Sequence, residues 1–123
     1  MGAPVIRFDI GCRNKPKTLA FYEKVFGWST KQAAYNTEIE TGAGKGINGA
    51  VTALGHEPHN YVMIYMEVAD IDAACAAIKD EGGKIAIGPV EIPAEGPNGG
   101  GKFAWFNDPE GNLLGIFEPP AQS

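Results

Sequence analysis

The chain has 123 residues, with 10 Lys and Arg against 15 Asp and Glu, and a formal net charge of −5 at pH 7. A chain this acidic is a poor partner for nucleic acid or an anionic membrane, and we predict neither interaction. Its longest apolar run, residues 61–66, is too short to span a bilayer, and its first residues lack the apolar segment of a secretory signal. We therefore expect a folded cytoplasmic protein.

Glycine and proline are unusually frequent, with 17 Gly and 9 Pro among the 123 residues. The excess can come from tight turns between short strands or from phosphate-binding loops. Residues 96–102 match the beginning of a phosphate-binding loop, but Phe103 stands where that motif has Ser or Thr. A predicted strand also follows where a helix should begin, so turns are the better interpretation. The two cysteines, Cys12 and Cys75, are predicted to be buried thiols.

The first half of the chain reads as one strand, one helix and three more strands. Val5–Ile10 alternates as a strand, and Asn14 can cap a helix that Gly27 ends. Apolar residues inside that helix recur at helical spacing; they are Leu19, Phe21, Tyr22, Val25 and Phe26. Three short strands are predicted next, at residues 28–33, 35–41 and 47–52.

The second half repeats this order. Residues 61–68 form a strand, Asp70 caps a helix, and Gly82–Gly83 ends it. Three strands follow, at residues 84–87, 102–107 and 113–118, with a long loop at 88–101. We therefore predict the α+β class, with a single domain of residues 1–123 built from two β-α-β-β-β modules, about 4–53 and 60–119.

Four predicted strands have two faces of different character. One face is apolar and is expected to pack against the helices; its members are Phe8, Ile10, Val62, Ile64, Met66, Val68, Ala104, Phe106, Leu114 and Ile116. The other face mixes aromatic and charged residues; its members are Arg7, Asp9, Met63, Tyr65, Glu67, Phe103, Trp105, Asn107, Leu113, Gly115 and Phe117. The second face has the composition of a ligand site. The alternative is that a partner subunit covers it and its charges pair across strands.

Three segments resemble the vicinal oxygen chelate superfamily, which includes glyoxalase I, bleomycin-resistance proteins and extradiol dioxygenases. The segments are residues 21–28, 65–72 and 103–112. The resemblance covers essentially the whole chain and is strongest to single-domain glyoxalase-like members. It implies two paired modules that form a cupped mixed sheet with helices on the outer face, and commonly a homodimer.

Metal-dependent members of that superfamily hold a divalent ion with His, Glu or Gln. The resemblance carries their ligand positions onto Arg7, Asn48 or Gly49, Met63 and Gly115. A guanidinium cannot bind a metal ion, glycine has no side chain, and a thioether does not suit these ions. We therefore predict no metal and no other cofactor. His56 and His59 are interpreted as residues of a solvated loop, with adventitious metal binding as the alternative.

These features predict a metal-free protein that binds a small aromatic or anionic molecule, which Arg7 orients. The predicted ligand-binding residues are Arg7, Asn48, Met63, Tyr65, Phe103, Trp105, Leu113, Gly115 and Phe117. One alternative is a metal-independent lyase or isomerase in which Arg7 stabilises an oxyanion and Glu67 or Asp9 moves a proton. These two carboxylates can instead simply neutralise Arg7. Another alternative is a glyoxalase I-type metalloenzyme with displaced ligands.

Overall fold

The computed structural model describes residues 2–33, 36–53, 60–94 and 99–121. Within these ranges the order β-α-β-β-β occurs twice, which confirms the predicted α+β class. The elements are β1 (Val5–Gly11), α1 (Lys15–Phe26), β2 (Ser29–Gln32), β3 (Thr37–Glu40), β4 (Asn48–Thr52), β5 (Tyr61–Glu67), α2 (Ile71–Asp80), β6 (Lys84–Glu91), β7 (Lys102–Asn107) and β8 (Leu113–Glu118). Among the described residues, neither helix is long and apolar enough to cross a membrane.

The chain divides into two compact units, which share one strand pattern. The N-terminal unit is Ile6–Met63, and the C-terminal unit is Met1–Val5 with Ile64–Ser123. In the N-terminal unit the strand order is β2-β3-β4-β1, where β1 runs parallel to β4 and the other pairs are antiparallel. In the C-terminal unit the order is β5-β8-β7-β6, where β5 runs parallel to β8. Each unit is therefore a mixed sheet with the same connectivity.

Helix α1 begins and ends at the predicted caps. The Asn14 side chain accepts a hydrogen bond from the Lys17 N–H at 3.0 Å. Gly27 is left-handed, with φ at 70°, and its N–H donates to the Glu23 carbonyl. The core beneath α1 consists of Cys12, Ile39 and Val51, with Phe8, Ile10, Leu19 and Trp28 packed against them.

The predicted apolar stripe of α1 is only partly buried. Phe21, Val25 and Phe26 are each more than half exposed, because only part of the helix surface lies over the sheet core. Tyr22 instead stacks on Trp28, with ring centroids 4.9 Å apart. Three of the five apolar residues that recur at helical spacing in α1 are therefore mainly exposed.

Helix α2 packs on β6, β7 and β8 in the C-terminal unit. Its core residues are Ile71, Cys75, Ala104, Phe106 and Ile116. Two carboxylates cap its first turn: Asp70 accepts from the Ala73 N–H at 3.1 Å, and Glu118 accepts from the Ile71 N–H at 2.9 Å. The predicted Asp70 cap is confirmed. The Glu118 contact joins the end of β8 to the start of α2.

Replacing Asp70 with alanine removes one of these caps. We expect the free energy of unfolding to fall by about 1 kcal/mol, because the Ala73 N–H loses its carboxylate acceptor. Urea denaturation measures the change. The control is Asp72→Ala, which removes an acidic residue of the same turn without removing the cap. Equal losses in the two variants would contradict the capping role.

Two details of the strands differ from the prediction. Val62 is 76% exposed and Ile64 is 37% exposed, whereas Met66 and Val68 pack on the α2 core. The apolar face of β5 is therefore covered at one end only. Strand β6 continues past residue 87 to Glu91, because register shifts accommodate the Gly88-Pro89 step.

Candidate functional site

Four polar residues cluster on the face of the N-terminal sheet opposite α1. Arg7 and Asp9 of β1 alternate with Phe8 and Ile10, which face the helix core. Glu38 lies on β3 and Thr52 on β4. We call Arg7, Asp9, Glu38 and Thr52 the polar cluster.

Arg7 and Glu38 form an ion pair across the intervening strand β4. Arg7 Nη2 lies 3.2 Å from Glu38 Oε2 and 3.4 Å from Oε1, with side chains 23% and 15% exposed. Ala50 is the register partner of Glu38 and of Asp9 and is fully buried. Alternate strands lie about 10 Å apart, so two long side chains can meet across β4. Arg7 is in register with Asn48, two residues from Ala50, so the ion pair is diagonal to the strand register.

Glu38 is a site residue that the sequence pattern did not reveal. Asp9 and Glu67 were predicted as alternative partners for Arg7, and the structure adds Glu38, from a strand two positions away in the sheet, as an ion-pair partner. The spacing of residues along the sequence does not predict this contact, because Arg7 and Glu38 are brought together by the register of β1, β4 and β3. Side chains alternate along a strand, so a strand that buries Thr37 and Ile39 places Glu38 on the opposite face. This alternation was the signal that could have indicated Glu38.

Asp9 is a buried carboxyl group, only 3% exposed. The Thr52 hydroxyl donates a hydrogen bond to Asp9 Oδ1 at 3.0 Å. Burial raises the pKa of Asp9 to about 6; the Thr52 hydrogen bond and the Arg7 charge oppose this rise, and the Glu38 charge adds to it. A carboxyl group of this pKa can accept or donate a proton near neutral pH.

Tyr65 and Trp105 form a buried pair in the C-terminal unit. Trp105 Nε1 donates to the Tyr65 hydroxyl at 2.6 Å, and the residues are 4% and 8% exposed, Trp105 being the more buried. Gly115 is the register partner of both. The Tyr65 ring lies where a side chain at position 115 would begin, since an added Cβ would be only 2.8 Å from Tyr65 Cζ.

Replacing Tyr65 with phenylalanine tests this pair. We expect the free energy of unfolding to fall by about 1 kcal/mol, because the Trp105 N–H loses the hydroxyl that accepts it. Urea denaturation measures the loss, and Trp105 fluorescence should change because its hydrogen bond changes. The control is Tyr22→Phe, whose ring stacks on Trp28 and whose stacking does not need the hydroxyl. An unchanged stability of Tyr65→Phe would contradict the contribution of the bond.

The remaining predicted residues have different environments. Phe103 and Phe117 face each other on β7 and β8 and are half-buried. Leu113 and Glu67 are also half-buried. Met63 is 2% exposed. Asn48 is exposed, and its side chain accepts from the Thr41 N–H at 3.0 Å. His56, His59 and residues 95–98 of the glycine-rich loop lie outside the described residues.

The positions that correspond to superfamily metal ligands do not fit a divalent cation. Arg7 is a cation paired with Glu38, and Asn48 Oδ1 accepts a hydrogen bond from the Thr41 N–H. Met63 offers only a thioether, and the Tyr65 ring occupies the space beside Gly115. In the part of the chain that the structure describes, no group of three His, Cys, Asp or Glu is arranged to hold a metal.

The family of the chain is shown by a match over residues 5–116 to the model described as Glyoxalase/Bleomycin resistance protein/Dioxygenase superfamily. The chain belongs to this superfamily, which confirms the resemblance drawn from its three segments. The protein CFP32 of Mycobacterium tuberculosis (strain CDC 1551 / Oshkosh), provisionally named a glyoxylase, is 28% identical over 108 residues. That match covers 85% of this chain and 40% of CFP32, so the chain spans less than half of that relative.

A second relative is similar in length to this chain. A glyoxylase-like domain-containing protein of Didymella fabae is 26% identical over 127 residues, which covers 93% of this chain and 92% of the relative. Both relatives carry names from the glyoxylase group, and those names agree with the family match.

Solved structures share the fold at low sequence identity. Methylmalonyl-CoA epimerase from Mycobacterium tuberculosis has a TM-score of 0.67 at 13% identity, and the match covers 95% of this chain and 88% of the epimerase chain. The Streptomyces coelicolor epimerase in complex with 2-nitronate-propionyl-CoA has a TM-score of 0.65 at 20% identity, and the match covers 97% of this chain and 99% of that chain. Protein BH1468 from Bacillus halodurans C-125 has a TM-score of 0.70 at 14% identity, and the match covers 100% of this chain and 99% of that chain. These likenesses show the fold alone.

Proposed function

We propose that this chain binds a small organic molecule at the polar cluster without a metal ion. The observation that carries the proposal is the grouping of a half-buried ion pair and a buried carboxyl group on the sheet face opposite α1. Charged groups in such positions cost free energy compared with apolar residues of similar size. Their joint presence is therefore better explained by ligand binding than by stability.

The residues predicted to bind a ligand fall into two sets, one within each unit. In the N-terminal unit, the Arg7 guanidinium donates hydrogen bonds that orient the ligand. In the C-terminal unit, Phe103 and Phe117 are half-buried and offer apolar ring surface, whereas Tyr65 and Trp105 are almost fully buried. The other predicted ligand-binding residues stay predictions; they are Asn48, Met63, Leu113 and Gly115.

A thermal-shift screen of metabolites, run with and without a chelator, tests the proposal. We expect at least one compound to raise the melting temperature equally in both conditions, and Arg7→Gln to abolish the shift. Lys31→Gln is the matched control, because it removes the same charge from an exposed residue of β2. A shift that disappears with chelator, together with stoichiometric Ni, Zn or Fe in the purified protein, would support the metalloenzyme alternative instead.

A second candidate function is metal-independent proton transfer, as in a lyase or isomerase. It is favoured by Asp9, whose pKa of about 6 suits a group that exchanges protons near neutral pH. A screening hit incubated in D2O should then exchange a C–H hydrogen for deuterium, as NMR detects. Asp9→Asn should stop this exchange while binding persists. Glu67→Gln tests the other predicted carboxylate, and exchange that survives in both variants would contradict this mechanism.

The homodimer implied by the family resemblance also stays a prediction. Sedimentation equilibrium measures it directly. A mass of twice 13.0 kDa would agree with it, and a mass of 13.0 kDa across the concentration range would contradict it.

A further inference from the structure

The charges of the polar cluster limit what its guanidinium can bind. Arg7 contributes one positive charge, and Glu38 and Asp9 contribute one negative charge each when ionised. The sum is zero with Asp9 protonated and −1 with Asp9 ionised. Glu38 contacts Arg7 Nη2 with both carboxylate oxygens, at 3.2 and 3.4 Å. The cation is therefore already compensated within the chain.

We infer that the polar cluster takes its ligand through an uncharged hydrogen-bonding group, such as a carboxamide, and discriminates against carboxylates. The inference rests on the proposed binding at this cluster and names the class of ligand. It replaces the anion-orienting role that the sequence suggested for Arg7, because Glu38 already pairs with this guanidinium.

Hydrogen bonding explains the preference for a carboxamide. Its oxygen accepts from a guanidinium N–H, and its NH2 group donates to a carboxylate oxygen of Asp9 or Glu38. A carboxylate of the same shape accepts from Arg7 but brings a like charge next to two acidic side chains. To bind with both oxygens it must also displace Glu38 from Nη2.

Benzamide and benzoate are a matched pair of probes, because they have the same size and planar shape and differ in charge. Their affinities are measured on the ¹⁵N-labelled full chain at pH 7.5 by amide chemical-shift titration. We expect benzamide to bind the native protein at least about fivefold more tightly than benzoate. Glu38→Gln should shift the ratio about tenfold toward benzoate, since a like charge is removed beside Arg7. Glu40→Gln, at an exposed residue of β3, removes the same charge and should leave the ratio unchanged.

The outcomes separate the inference from the proposed function. Tighter binding of benzoate to the native protein overturns the inference and leaves ligand binding at the cluster intact. An unchanged ratio in Glu38→Gln also overturns the inference; if that variant fails to fold, the native ratio alone decides. Shifts in no amide of residues 6–10, with either probe and in every variant, overturn the inference together with the proposed binding at this cluster.

Discussion

Replacing Asp9 with asparagine is expected to raise the free energy of unfolding at pH 8 by about 3 kcal/mol. The native carboxyl group is 3% exposed, and burial raises its pKa from 3.8 to about 6. Ionising Asp9 therefore costs more in the folded state than in the unfolded state. The asparagine is neutral in both states, and its amide oxygen can still accept the Thr52 hydroxyl at the position of Oδ1.

The raised pKa of Asp9 determines the pH range over which the native protein and Asp9→Asn should differ in stability. Asp9 holds its proton more strongly when folded, so its contribution to stability is complete below about pH 3.8 and is lost as pH rises through about 6. The native protein and Asp9→Asn should therefore have similar stabilities near pH 3.5 and diverge up to about pH 7. Urea denaturation across this range measures the difference. The exposed residue Asp80 gives the control, since Asp80→Asn should change stability by less than about 0.5 kcal/mol.

A constant difference between Asp9→Asn and the native protein at all pH values would contradict the raised pKa. A growing difference would mean that the chain keeps a carboxyl group that destabilises it at neutral pH. Residues of that kind are expected at functional sites, where stability is given up for chemistry. The stability measurement and the deuterium exchange test therefore examine the same residue by independent means.

Replacing Gly115 with alanine is expected to lower the free energy of unfolding by about 2 kcal/mol. The added Cβ would overlap the Tyr65 ring, approaching Cε2 and Cδ2 as well as Cζ. Tyr65 cannot withdraw freely, because its hydroxyl accepts the Trp105 N–H and the residue is buried. Urea denaturation at neutral pH measures the loss.

A double-mutant cycle supplies the control for this prediction. In a Tyr65→Ala background the ring is absent, so Gly115→Ala should cost much less than in the native chain. Equal costs in the two backgrounds would contradict the contact with Tyr65. The same contact predicts that Gly115→Glu, which introduces one of the residue types that hold the ion in metal-dependent members, creates no metal site while Tyr65 is present.

Local features of the fold were predictable from the sequence. Asn14, Gly27 and Asp70 act within a few residues along the chain, so their capping roles depend on local backbone geometry. Alternation in β1 placed Arg7 and Asp9 on the face opposite Phe8, because side chains in a strand alternate. The repeated β-α-β-β-β order followed from these local patterns.

The candidate site depended on contacts between distant parts of the chain. Thr52 reaches Asp9 from 43 positions away, and Glu38 reaches Arg7 from 31 positions away. Both contacts depend on strand register, and the periodicity of residues within one strand does not predict how that strand pairs with another. The pKa of Asp9 likewise follows from burial, which depends on packing.

The high glycine content, which first suggested turns, therefore had two different causes. Gly27 ends a helix with a positive φ, and a local pattern was sufficient to predict this role. Gly115 lies inside β8 and leaves space for the Tyr65 ring from a neighbouring strand. The sequence by itself determined the elements and their faces, because these depend on residues near one another. Only the tertiary structure decided which charges and rings meet, because that depends on how the strands are paired.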